Sequence, residues 1–377
     1  MKKILLGTTA IVGTALLVGP ALAEAPKLGM SGNVKFEASF VDQDPVSATA
    51  SAYTRGYKFS VDDAEIVFKA SSTADNGLEY GAKIEYEFEA GSTDEAMIWL
   101  EGDWGTLNLG NEDGAEDAMK VGGYSLLTAA GGYDGENFFT NSSGAITGPS
   151  FTGDSSDANK ITYYSPSMSG FRVGASFTPD TGANFDDQLS DDDGDQETHF
   201  GVGAEYKGDF DQVGVQASVR YIAAAYESND DDGATTEQND VSSIGLGAKV
   251  TFGDFAVAAG YHNNGDSGIT QANDTLGLDA GEWYDVAASY SAGAIKVAAG
   301  YFHSEIQNAA TTSAEADMFT VGGNYNVADG LDVYGEFNYV ELEDGTTATL
   351  NDNEVTTVIV GRSEERRVGK ECRSRWS

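Results

Sequence analysis

Between Leu78 and Glu89 the chain alternates without a break. Leu78, Tyr80, Ala82, Ile84, Tyr86 and Phe88 are apolar or aromatic, while Glu79, Gly81, Lys83, Glu85, Glu87 and Glu89 are charged or glycine. Side chains switch faces along a strand, so this segment is oily on one face and polar on the other. A soluble sheet could show such a segment once. Here it recurs along the chain at roughly ten residues per segment, separated by Gly, Asp and Asn turns, which is the signature of a transmembrane β-barrel with lipid outside and water inside.

Sixteen segments carry the pattern. The first spans about Gly32–Val41, the second Asp63–Ser72 and the eighth Thr198–Lys207; the thirteenth spans Ala294–Ser304 and the fourteenth Asp317–Val327. The last begins near Glu354. Short turns at Gly208-Asp209, Gly253-Asp254, Ala292-Gly293 and Ala328-Asp329-Gly330 alternate with longer loops at 179–195, 225–240, 263–280, 305–316 and 343–353. Short turns on the periplasmic side and long loops outside fit an outer-membrane barrel. Sixteen strands also enclose a lumen too wide for side chains to fill. The all-β class expected is therefore a 16-stranded antiparallel barrel around an aqueous channel. Tyr163, Tyr221, Trp283, Tyr284, Tyr290, Tyr301, Tyr325 and Tyr339 lie near strand ends and read as membrane-interface girdles.

The two ends read differently from this body. Lys2 and Lys3, the apolar run Ile4–Val18 and Ala21-Leu22-Ala23 make residues 1–23 a cleavable signal peptide. Residues 24–361 form the barrel. Residues 362–377 carry six cations and the single Cys372 without the alternation, and they look like an in-frame translation of a sequencing adapter. On this reading the last strand is truncated after about Gly361.

The chain has 21 Lys+Arg against 61 Asp+Glu, a formal net charge of −40. Setting aside both ends removes more cations than acids and deepens the excess. Such a surface repels phosphate and excludes nucleic acid as a partner. Acidic chains are often disordered, but aromatics make up 11 % here and sit within the periodic segments. Catalysis has little support. His199, His262 and His303 are widely separated, and the glycines at 245 and 247 sit in a strand with no helix following.

With these pieces in place the chain resembles the general diffusion porins of Gram-negative bacteria, particularly the alphaproteobacterial type. Three stretches carry the likeness: Gly29–Phe36, Gly102–Gly114, and Asn159–Pro166 with Gly170-Phe171. The resemblance implies a homotrimer embedded in outer-membrane lipid and lipopolysaccharide, passing small hydrophilic solutes and ions and needing no cofactor. It also implies that the long, Gly-rich segment 111–159 folds inward as a constriction loop. Its acids Glu112, Asp113, Glu116, Asp117, Asp134 and Glu136 would then face wall cations Lys35, Lys69, Lys83, Lys160 and Arg172 across the narrowest point. Charged rings set selectivity in such pores, and the acid excess predicts cation preference.

Two outer-loop runs could bind Ca²⁺: Asp191, Asp192, Asp193 and Asp195, and Asp230, Asp231 and Asp232. Neither has the Glu that completes an EF-hand. Solvated, self-repelling loops are the simpler reading. Two alternatives stay open at this point: an exported acidic surface or adhesion protein stabilised by divalent cations, and a solute-specific porin.

Overall fold

The computed structural model describes residues 26–43, 55–134, 139, 141, 143–182, 195–226, 238–309, 312–345 and 352–368. The signal-peptide expectation lies outside them. The first strands are β1 (Lys27–Gln43), β2 (Arg55–Thr73), β3 (Glu79–Glu87), β4 (Ser92–Gly102) and β5 (Gly105–Asn111). After the long loop come β6 (Asn159–Tyr164), β7 (Phe171–Asp180), β8 (Gln196–Phe210), β9 (Val213–Tyr226), β10 (Val241–Phe252) and β11 (Phe255–Asn263). The chain ends with β12 (Glu282–Ala292), β13 (Ile295–Ala309), β14 (Thr312–Ala328), β15 (Leu331–Glu343) and β16 (Asn353–Val368). All sixteen pair antiparallel with their chain neighbours, and β16 closes on β1, from Gln43 opposite Val355 to Met30 opposite Val368. Closure leaves no unpaired sheet edge. Among the described residues no helix is long and apolar enough to cross a membrane.

The alternation sets the two faces as the sequence predicts. Val34, Phe36 and Phe40 of β1 are exposed on the outside, while Glu37 and Ser39 between them are buried on the inside. Exposed aromatics and branched aliphatics continue around the barrel, including Phe68, Ile84, Val202, Leu246, Val286 and Phe319. A free outer surface this apolar belongs in hydrocarbon.

Strand limits differ from the sequence reading where the alternation changes phase. Asp63 adopts φ 56° and forms a β-bulge, so the register against β1 jumps between Val34 and Lys35. Before the bulge the outward residues are Tyr57, Phe59 and Val61; after it they are Ala64, Ile66 and Phe68. A bulge inserts one residue and flips the parity, so period-2 reading finds only the second part. Thr198, at φ 53°, does the same near the start of β8. That strand also runs through Gly208-Asp209 and turns instead at Asp211, φ 57°. β13 and β14 extend well into the expected 305–316 loop, because backbone pairing needs no apolar face. For the same reason β16 continues past Gly361 to Val368.

Tyr163, Tyr221, Tyr284, Tyr290 and Tyr325 are exposed on the outer face, as a girdle requires. Trp283 is a correction. It stands opposite His262 and Ser304 on the inner face, is 1 % exposed, and donates its indole N–H to Ser150 O at 2.5 Å. A barrel has no central core; the largest apolar cluster instead lies between the long loop and the wall. There Leu126, Leu127, Tyr133 and Ala145 pack on Trp283, Phe302, Met318 and Val340.

Candidate functional site

The loop between β5 and β6 enters the barrel and lies flat along one part of its wall. It begins with a single helical turn, α1 (Ala115–Ala118), followed by 3₁₀ turns at Gly123–Leu126 and Gly132–Asp134. α1 packs against β6 to β9, the first 3₁₀ turn against β11 to β13, and the second against β14 and β15. The outgoing limb thus advances around the wall in strand order. The limb 146–155 then returns over the same strands. Ser304 donates to Ile146 O at 2.6 Å, Asn264 Oδ1 accepts from Thr152 N at 2.8 Å, and His199 Nε2 donates to Gly153 O at 2.6 Å.

Close approach is possible because the wall beneath is glycine. A Cβ on Gly201 would overlap the Glu116 carboxylate, and one on Gly247 would overlap the Val121 carbonyl. Two buried wall carboxylates then fix the outgoing limb. Asp285 accepts from Tyr124 N at 2.7 Å and Tyr133 Oη at 2.9 Å. Glu336 accepts from Gly132 N at 3.1 Å and from the Thr128 hydroxyl. Lys296 caps Leu127 O at 2.7 Å, and Asn324 Oδ1 takes Ala129 N at 3.2 Å. Hydrogen bonds to charged groups are each worth about 1.5–3 kcal/mol, so this docking is firm. None of these anchors stood out in the sequence; their only signal is an inward, polar position on a strand.

The loop acids divide into two groups. Glu112 and Glu116 point back into the wall and do not line the passage. Glu112 is buried and accepts from Asn108 Nδ2 at 2.8 Å; burial pushes its carboxyl above the usual range. Glu116 is fully buried and accepts from Ser155 Oγ at 2.9 Å and Ser176 Oγ at 3.0 Å, joining the two limbs. The expectation placed both at the constriction, but a chain with no period shows nothing of which way its acids turn. Asp113 is exposed to the lumen and Asp117 partly so. Partial enclosure by the loop, then Asp117, Asp154 and Asp157, hold the Asp113 carboxyl up at about 7. Asp157, partly enclosed and near Asp94 and Glu95, is held up at about 6. Asp134 ends the second 3₁₀ turn, but its side chain, like Glu136, lies outside the described residues.

The wall cations also divide. Lys35 pairs with Asp62 at 2.8 Å and with Asp63 at 3.9 Å. Lys83 pairs with Glu85 at 2.8 Å and with Glu95. Lys69 extends over the Trp99 ring, 5.0 Å from its centroid. Arg172 lies over the Tyr164 ring and 3.7 Å from Glu205. Lys160 is a second correction: it is 4 % exposed and its ammonium is held by the Glu112, Ser155 and Ser156 carbonyls, so it pins the loop's exit. Arg220, unremarked in the sequence, is buried under α1, donates to Glu116 O at 3.3 Å, and lies over Phe151.

The helical and 3₁₀ turns of the loop make their main contacts with β6 to β9 and β11 to β15 and leave β2 to β4 open, while loop residue Ala130 meets Ile359 of β16 and Glu37, Ser39 and Val41 of β1 are buried. A cavity of about 600 Å³ opens there, between loop residue Ala129 and wall residues that include Asn33, Lys35, Glu65, Val67 and Ser363. The passage is therefore a crescent, with Asp113 and Asp117 on its loop side and the inner faces of β1 to β4 opposite. Asp191, Asp192, Asp193, Asp230, Asp231 and Asp232 lie outside the described residues, and Asp195 sits beside Gly182 at the start of β8. Among the described residues no group of three His, Cys, Asp or Glu is arranged to hold a metal.

This geometry has close relatives. A family model for Gram-negative porins matches residues 7–345. A monosaccharide porin from a Halomonas species and the major outer membrane protein of Halomonas elongata are each 24 % identical over 338 residues, covering 87 % of this chain and 75 % of the relative. The anion-selective porin from Comamonas acidovorans aligns with a TM-score of 0.64 at 18 % identity, covering 91 % of this chain and 100 % of that one. OmpT of Vibrio cholerae in its trimer form aligns with a TM-score of 0.59 at 15 % identity and the same coverage. The structural likenesses show a common barrel, and the family match spans most of the chain. It belongs to the Gram-negative porins, and is a non-enzymatic channel of the outer membrane.

Proposed function

We propose that this porin passes small hydrophilic solutes and ions by passive diffusion and prefers cations. One observation carries the preference: acids on both sides of the crescent outnumber the cations, and the cations are largely spent on them. Lys35 and Lys83 each bridge two carboxylates, whereas Glu65 and Glu87 stand directly opposite one another on the inner face and Asp113 is exposed across the gap. A channel lined by one sign of charge between low-dielectric walls concentrates the opposite ion. Little bare cationic charge is therefore left on the wall to face the loop acids. Reversal potentials in a KCl gradient across planar bilayers test the reading; a potential of the sign for chloride preference overturns it.

The alphaproteobacterial affinity rests on the three sequence stretches. Trimerisation is supported by the trimer form of the Vibrio cholerae structure, and cross-linking in detergent tests it. Contact with lipopolysaccharide and weak Ca²⁺ bridging at the 191–195 and 230–232 runs follow from their acidity; equilibrium dialysis with calcium tests the second. We also read residues 1–23 as a leader and 362–377 as foreign sequence. Arg362 and Glu364 stand on the outer face, bonded to each other at 2.5 Å and opposite Phe36 and Val34 of β1. An arginine facing lipid costs about 2–4 kcal/mol at the midplane and less toward the interfaces, and a glutamate costs less. The intact mass of the protein from its native membrane decides both ends.

A further inference from the structure

We propose that Lys69, held over the Trp99 ring, is an anion subsite in the open half of the channel, where chloride or a small carboxylate pauses in an otherwise acidic lumen. The inference rests on the cation-preferring reading above and qualifies it.

Lys69 on β2 and Lys83 on β3 are direct cross-strand partners, so both side chains start on the same inner face. Like charges so placed repel, and the two must diverge. Lys83 turns to Glu85 and Glu95. Lys69 turns the other way, to Trp99 of β4. The indole reaches it by crossing Gly81, which stands opposite Trp99 on β3; a Cβ at Gly81 would overlap the ring and the Ala70 carbonyl. Glycine at 81 therefore seats the ring against the wall, and the ring in turn receives the ammonium.

The choice of partner matters for charge. Of the five wall cations expected from the sequence, Lys35, Lys83 and Arg172 face carboxylates and Lys160 is enclosed by carbonyls. Among the described residues Lys69 has no carboxylate partner, and it is exposed. An aromatic face attracts an ammonium without supplying a counter-charge or consuming its N–H donors. The donors remain available to a passing anion. Val67, two residues away on the same face of β2, lines the open cavity, so such an ion meets Lys69 along the passage. Trp99 is the positioning residue: it keeps Lys69 from turning to the glutamates nearby.

The test compares permeability ratios of K⁺ to Cl⁻ and of K⁺ to acetate in planar bilayers, using the whole folded protein. Lys69→Gln is expected to raise both ratios about twofold, as loss of a lining charge does. Trp99→Leu keeps the lysine but frees it to pair with carboxylates, and is expected to raise both ratios similarly. Trp99→Phe keeps an aromatic face and is expected to stay near wild type. Unchanged ratios in Lys69→Gln overturn the subsite. A shift in Lys69→Gln with wild-type ratios in Trp99→Leu overturns the positioning role. Chloride preference in the wild type would instead refute the broader reading, and the differences between variants remain readable in that case.

Discussion

The inner faces of β7 to β15 and of β1 to β4 come from the same alternating pattern but do opposite work. The first is built to be covered. Gly201 and Gly247 let the loop backbone approach, Trp283 and Phe302 give it an apolar bed, and Asp285 and Glu336 take its N–H and O–H groups. The second stays wet from Asn33 and Lys35 across to Glu65 and Val67 of β2, although Glu37, Ser39 and Val41 further along β1 are buried. It carries long charged side chains that pair laterally along the wall, as Lys35 does with Asp62 and Lys83 with Glu85. Pore width is thus set on one half of the barrel and ionic character on the other, so substitutions in the two halves should separate into size effects and charge effects.

The largest effect should come from releasing the covered half. Asp285→Ala with Glu336→Ala leaves four loop donors without acceptors, at about 1–3 kcal/mol each. Liposome swelling with sugars of increasing size should then show a raised exclusion limit and noisier single-channel currents; an unchanged limit would mean that the loop is held by apolar packing alone. Gly247→Val should act on the same half in the opposite sense. Its side chain wedges against the Val121 carbonyl and moves the loop toward β1 to β4, so single-channel conductance should fall while ion preference changes little.

A smaller effect should come from pH on the passage itself. A carboxyl raised to about 7, as at Asp113, is charged above that value and loses its charge as pH falls through it; Asp157 follows near 6. Cation preference should be greatest above about pH 8 and decline toward about pH 5. Asp113→Asn should remove the upper part of that decline, and a flat profile in the wild type would refute the assignment. Lys35→Gln should shift preference further toward cations, since it leaves Asp62 and Asp63 without their cation. An unchanged preference there would show that these carboxylates do not face the permeating ions.

The strands were legible because period 2 is imposed by the environment on each face, one lipid and one water. The pattern fails where something else decides. At Asp63 and Thr198 a bulge breaks the phase, and at the outer ends of β13 and β14 the outward face is polar, with Glu305, Gln307, Ser313 and Glu315, while the alanines at 314 and 316 turn inward and backbone pairing carries on. The loop was legible as a long insertion but not in its orientation. Glu116 and Asp117 are adjacent in sequence, yet one is sealed against Ser176 and the other is partly exposed to the lumen. Lys160 read as a wall cation because it begins an alternating strand; its burial comes from loop carbonyls arriving from elsewhere. Asp285 and Glu336 were hidden among many inward acids, and what distinguishes them is the donor supplied by the loop.

The pairing of β16 with β1 joins the two ends of the barrel sequence. Every other ladder joins consecutive strands and, apart from β5 with β6 across the long loop, is a hairpin that can form locally at small loop-closure cost. This one seam has the longest sequence separation in the molecule, so it must zip last, after the entire polypeptide has left the ribosome and crossed the inner membrane. Until then the sheet carries two raw borders of unpaired amides, and whatever receives the nascent barrel has to shield both.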